Sequence, residues 1–176
     1  MAITGHLDRD GHDLVLVRDV PVPRPQIWEH LADPDLLATW FGTYTGDPST
    51  GRIQLTMNAE PGEAAASEYT IHTCDEGELL TVSSAMGEGA WRLSVELADG
   101  VEKRRAAAAD GQAEPVTWVR LRHHDVPRDM IQHVGPGWEW YLDRLVGAVT
   151  AGAIPGMDVW DSHYMSLSED YAALAR

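Results

Sequence analysis

The chain has 176 residues, 44% of them hydrophobic and 23% charged, which fits one globular domain and excludes global disorder. Against 28 Asp and Glu stand only 13 Lys and Arg, a formal charge of −15. That balance lacks the cations that nucleic-acid or anionic membrane binding requires.

The first strand is predicted over residues 13–20, Asp-Leu-Val-Leu-Val-Arg-Asp-Val, rich in leucine and β-branched side chains. Pro21, Pro23 and Pro25 stop it. Pro25 then suits the first turn of a helix over about 25–32, with Ile27, Trp28 and Leu31 at one-turn spacing. Asp33 caps a second short helix that Pro34 opens, its apolar face being Leu36, Leu37, Trp40 and Phe41. Gly42 to Gly51 reads as loop. Arg52 to Met57 alternates with period two, as a half-buried strand does. A third strand runs over 65–74 through Tyr69, Ile71 and Thr73, and a fourth over Leu79 to Ser84, broken by Gly87 and Gly89.

The fifth strand is the clearest. Trp91, Leu93, Val95 and Leu97 share one face, and Arg92, Ser94 and Glu96 the other. From Asp99-Gly100 through Ala106 to Ala109 and Gly111, the chain reads as a long polar hairpin connection. A sixth strand over 116–123 sets Thr117, Val119, Leu121 and His123 against Trp118, Arg120 and Arg122, the two-faced habit of an antiparallel sheet. Pro127 suits the start of a helical segment, which Gly135-Pro136-Gly137 either breaks or restarts. Trp138, Tyr141, Leu142, Leu145, Val146 and Val149 then form a strong amphipathic stripe, ended by Gly152 and Pro155-Gly156. Trp140 lies about 200° around that helix from Trp138 and needs a cover, either the segment around Trp160 and Tyr164 or a second copy in a homodimer. The apolar tail with Met157, Tyr164, Leu167, Tyr171 and Leu174 is expected to pack on the domain or on that second copy.

The order strand, two short helices, five further strands and a long helix predicts a curved sheet gripping the helix around a cavity. Val15 to Phe41, with Arg18, Pro23, Trp28, Asp33-Pro34 and Trp40-Phe41, resembles the opening signature of the activator of heat-shock protein 90 ATPase homologue family. Thr117-Trp118-Val119-Arg120-Leu121, with Gly137-Trp138, Leu142 and Leu145, is similar to its closing signature. The resemblance spans about 12–152 and implies an α+β, START-like (SRPBCC, helix-grip) fold. Its expected form is a curved antiparallel six-stranded sheet around a long C-terminal helix, with two short helices after strand 1. Residues 1–176 are expected to form a single START-like domain, with 153–176 as a packing extension. The separate chaperone-binding domain of the eukaryotic activators has no counterpart here, so the resemblance implies the fold more than chaperone activation. It also implies an apolar ligand in the cavity, and for some relatives cyclase, aromatase or hydrolytic chemistry.

Each candidate for chemistry also has a plainer structural explanation. One cysteine, Cys74, excludes an intrachain disulfide framework and a cysteine-rich zinc site. His72 stands two residues before it, which on a regular strand is the same face. The only lysine, Lys103, is the one Schiff-base candidate and falls in a polar loop. His123-His124-Asp125 with His133 is a poor metal site, because neighbouring strand residues point to opposite faces. No metal and no cofactor are expected, and no phosphate loop, dinucleotide fingerprint or nucleophile elbow occurs. Asp158, Asp161 and His163 read as polar loop residues. The start, Met1 to His6, lacks the basic and apolar runs of a signal peptide, and no apolar stretch approaches the roughly 18 residues of a membrane span. A soluble cytoplasmic protein is expected.

The reading that follows is the binding of a small hydrophobic or amphipathic molecule. Its wall is assigned to Tyr69, Trp91, Leu93, Val119, Leu121, Trp138, Tyr141 and Leu142, with His123 as polar contact. Thr73 joins them on the Ile71 face. Two alternatives stand beside it: an enzyme using His123 or Tyr69 as proton carrier on an aromatic or polyketide-like substrate, and a chaperone-related partner-binding module with a small or absent cavity and an exposed recognition surface, for which Trp140 is one candidate.

Overall fold

In the computed structural model the described residues are 2–62, 65–86, 89–100 and 115–176; Gly87, Lys103 and most of the predicted hairpin connection lie outside them. The elements run β1 (His6–Leu7), β2 (Leu14–Val20), α1 (Arg24–Ala32), α2 (Pro34–Leu37), β3 (Gly42–Thr45) and β4 (Arg52–Met57). β5 (Ser67–Asp75), β6 (Leu79–Met86), β7 (Gly89–Asp99) and β8 (Thr117–His124) follow, then α3 (Ile131–Val149), short turns of 3-10 and π helix, and α4 (Ser168–Leu174). The strands form one antiparallel sheet in the order β1-β2-β8-β7-β6-β5-β4-β3. The fold is α+β and helix-grip, with the apolar stripe of α3 against the sheet.

Eight strands replace the six expected. Both additions are edges. β1 pairs only through His6 with Val15 and Leu7 with Leu14, too short to carry a period. β3 lies in the stretch read as loop; it pairs with β4 from Gly42 opposite Met57 to Thr45 opposite Gln54. Its position is set by that partner rather than by its own pattern. Gly42 permits the approach, because a Cβ there would stand 2.5 Å from the Thr56 carbonyl oxygen. Gly89 begins β7, opposite Met86, instead of breaking a strand.

The α1–α2 corner forms as its residues dictate. Asp33 accepts from the backbone N–H of Asp35 (2.8 Å) and Leu36 (3.0 Å), satisfying donors that a helix start leaves free. Trp40 donates its indole N–H to the His30 carbonyl at 2.9 Å. Ile27, Trp28 and Leu31 turn inward onto the core formed by Leu14, Leu16, Val119 and Leu145. Burying each such side chain contributes about 1.5–3 kcal/mol.

Gly135-Pro136-Gly137 neither breaks nor starts α3, which runs through it. Pro136 forfeits one helix hydrogen bond, and tertiary packing holds this turn nonetheless. The Tyr171 ring of α4 lies so close to Gly135 that a Cβ there would overlap it. Tyr171 is fully buried, and its hydroxyl donates to Glu139 Oε1 at 2.5 Å.

Glu139 itself is fully buried on α3. Arg18 of β2 pairs with it and, at 3.0 Å, with Asp143. Thr4 adds its backbone N–H to Glu139 at 2.6 Å, and Tyr164 donates to Asp143 at 3.0 Å. Burial opposes ionisation of Glu139, but the bonds from Tyr171, Arg18 and Thr4 outweigh it and hold the carboxyl below its usual range. One network therefore ties together the N-terminal segment, β2, α3 and the C-terminal extension, which packs in cis.

Candidate functional site

Two adjoining cavities lie between the sheet, α1–α2 and α3. The first, about 150 Å³, is bounded by Trp28, Leu31 and Leu37 from the helices and by Leu55, Ile71, Val82, Val95 and Leu121 from the sheet. The second, about 310 Å³, is bounded by Met57, Glu60, Trp91, His133, Val134, Gly137, Tyr141 and Trp160. Phe41, Tyr69, Leu93 and Trp138 line both. The strand alternation delivers these side chains: Trp91, Leu93 and Val95 point inward from β7, and Trp138 and Tyr141 face them from α3.

The proposed wall thus divides. Tyr69, Trp91, Leu93, Trp138 and Tyr141 meet at the second cavity, and Leu121 lines the first. Val119, Leu142 and His123 line neither; they are 0%, 3% and 2% exposed behind the walls. His123 is enclosed by aromatic rings, with centroids 4.8 Å from Trp91 and 5.9 Å from Trp138. Trp138 donates its indole N–H to His123 Nδ1 at 3.2 Å, so the neutral ring carries its proton on Nε2. Burial, aided by His124, pulls the His123 pKa down to about 4. At neutral pH it is an uncharged positioning element for Trp138.

A register shift between Ile71 and Thr73 marks a β-bulge in β5, which reverses the alternation beyond it. Thr73, expected in the cavity wall, instead stands opposite Thr81 on the outer face. Cys74 turns inward and lines the first cavity. His72 does not accompany it, since its Nε2 is 2.8 Å from Ser83 Oγ.

The outer face also holds His124, away from His123 as strand geometry requires. His124 Nδ1 lies 3.3 Å from Asp13, Nε2 lies 2.7 Å from Ser94 Oγ, and Ser94 meets Thr81 at 2.9 Å. The order imitates a nucleophilic triad. Ser94 is buried and borders neither cavity, so the chain fastens β8 to β7 and β6. Among the described residues no His, Cys, Asp and Glu group has metal-site geometry.

The cover for Trp140 comes from its own chain. It is 1% exposed, its ring meets Trp160 edge-on at 5.9 Å, and the Arg144 guanidinium lies 4.8 Å from its centroid. Its indole N–H has no hydrogen-bond partner among the described residues. Burial removes Trp140 from the candidates for the recognition surface of the partner-binding alternative. Arg144 donates to the Trp40 and Pro155 carbonyls at 2.8 and 2.7 Å, holding the extension over the second cavity.

Sequence reasoning missed Glu60, Met57 and Trp160 as wall residues. Glu60 lies in a turn, where its sequence signal is only that of a solvated acid. Tyr141 nevertheless donates its hydroxyl to Glu60 Oε1 at 2.8 Å. Burial and this carboxylate push the tyrosine pKa well above its usual range. The signal for Trp160 was indirect: an off-stripe Trp140 that needed a cover.

Comparison with known proteins places the architecture. The family model for "Activator of Hsp90 ATPase homolog 1-like protein" matches residues 21–150. Crystalline CalU16 from Micromonospora echinospora superposes with a TM-score of 0.68 at 20% identity, over 99% of this chain and 96% of that one. The protein encoded by BPP1335 from Bordetella parapertussis gives 0.69 at 21%, over 97% and 91%. A protein from Arthrobacter aurescens gives 0.66 at 15%, over 87% and 94%. No curated protein matches the chain. No helix among the described residues is long and apolar enough to cross a membrane.

Proposed function

Because the chain belongs to the family of Activator of Hsp90 ATPase homolog 1-like proteins, we propose that it binds a small hydrophobic or amphipathic molecule between its sheet and α3. The observation that carries this is the pair of cavities with a common wall of Phe41, Tyr69, Leu93 and Trp138. A concave, mostly apolar space with a few convergent polar groups is the usual form of a small-molecule site. The polar groups here are Glu60, His133 and the Tyr141 hydroxyl, all at the second cavity. The first supplies room for an apolar tail.

Such a protein works by exclusion of water. An apolar ligand gains roughly 25 cal/mol per Å² of surface withdrawn from solvent, and rigid aromatic walls hold that gain with little ordering cost. Acid–base catalysis by His123 is disfavoured by its position behind Trp91 and Trp138. We read residues 1–176 as one cytoplasmic START-like domain acting without a cofactor.

Native mass spectrometry of protein purified without detergent, followed by organic extraction, tests this. The expected result is a reproducible extra mass, released on denaturation and diminished by Trp91→Ala or Tyr141→Ala. A clean apo mass, combined with no saturable uptake of any apolar probe, would reject it.

A further inference from the structure

The second cavity differs from the first in having a formal charge at its wall. Glu60 reaches it from the β4–β5 turn and accepts a hydrogen bond from the Tyr141 hydroxyl at 2.8 Å. Among the described residues no Arg or His lies within ion-pair distance of this carboxylate, although eight such contacts occur elsewhere. Glu60 is exposed to solvent, so its carboxylate is hydrated while the cavity is empty. A neutral apolar ligand seated against it would displace part of that water and leave, among the described residues, only the bond from a neutral phenol.

The rest of the wall points to the missing partner. Trp91, Trp138, Tyr141 and Trp160 line the same space, with centroids 6.1 Å apart for Trp91 and Trp138 and 5.9 Å for Trp138 and Tyr141. Aromatic faces carry negative potential. A box of such rings with one acidic side chain is how proteins hold alkylammonium groups. The molecule's −15 charge adds long-range attraction for cations and repels anionic amphiphiles.

We propose that the second cavity is selective for an amphipathic organic cation. A protonated or quaternary amine sits against Glu60 and the indole faces, and its apolar body lies along the wall shared with the first cavity. This rests on the cavity-binding reading above and assigns the charge of its ligand. Trp160 belongs to the C-terminal extension, so the ammonium site is completed by a segment beyond the 21–150 family match.

The test compares benzyltrimethylammonium with neopentylbenzene, its uncharged carbon-for-nitrogen isostere, by tryptophan-fluorescence titration of the full chain. The cation is expected to bind roughly tenfold or more tightly than the isostere, the scale of a desolvated cation–π contact reinforced by a carboxylate. In Glu60→Gln, a turn variant whose melting curve checks its folding, the cation's advantage over the isostere should shrink several-fold, to the part the aromatic rings supply. Equal or tighter binding of the isostere to the wild type would overturn the charge assignment and leave the hydrophobic-cavity reading standing. A cation preference of undiminished size in Glu60→Gln would also overturn the assignment. Binding of neither probe would remove both.

Discussion

His123 turns burial into a pH dependence. Its folded pKa is about 4 against an ordinary 6.5, so between these values the unfolded chain binds the extra proton and the folded one does not. Stability contributed by the neutral ring is complete above about pH 6.5 and is lost as pH falls toward 4. At 1.36 kcal/mol per pKa unit the loss amounts to about 3 kcal/mol. Urea unfolding of the wild type and His123→Gln at pH 7 and pH 4 should show their stability difference narrowing by an amount of that order. A constant difference would contradict neutral burial. The inward direction of His123 was legible from its place in the Thr117–Val119–Leu121 series. Its distance from both cavities was not, because a strand's period gives the face and not what stands in front of it. Trp40 and Phe41 divide in the same way: Trp40 anchors the corner through His30, whereas Phe41 lines both cavities. Adjacent aromatics can take unrelated duties when one finds a carbonyl.

At the scale of elements, local pattern sufficed wherever one face was buried and one wet, as in β7, β8 and the stripe of α3. It failed where a partner decides. β3 depends on β4, the β5 bulge on the register with β6, and the passage of α3 through Pro136 on the docking of α4. The Gly135 contact gives a prediction of unusual sign. Replacing an interior helix glycine by alanine normally favours the helix by about 1 kcal/mol. Here the added methyl would meet the Tyr171 ring, so Gly135→Ala should lower the melting temperature and expose the C-terminal segment to limited proteolysis. A raised melting temperature with an unchanged digestion pattern would refute the role given to this contact.

For the whole molecule, the order of elements was readable because each helix and central strand had its own signature. A cavity between sheet and helix, and much of its aromatic wall, followed from that order. Its division into two spaces and the rest of its lining did not, since empty space has no residue pattern and is bounded by side chains remote in sequence. Glu60 and Trp160, a hundred positions apart in numbering, face the same void. The extension is the part most exposed to test. Deleting 153–176 removes Trp160 from the wall, uncovers Trp140, and deprives Glu139 and Asp143 of their tyrosine donors. The shortened chain should lose its bound mass, take up a hydrophobic dye and self-associate in light scattering. Retained mass with unchanged light scattering would show that the extension is dispensable.

The slipped residue in β5 has a practical consequence as well. By reversing the strand beyond Ile71, the bulge brings the chain's single thiol to the first cavity while leaving it exposed to solvent. Cys74 therefore marks a mouth, an opening through which a small electrophile can enter. One alkylation site, unique by composition, provides a place to attach a fluorophore or spin label without engineering. The rate of that single derivatisation becomes a gauge of traffic through the opening, slowing as an occupant fills the space behind it.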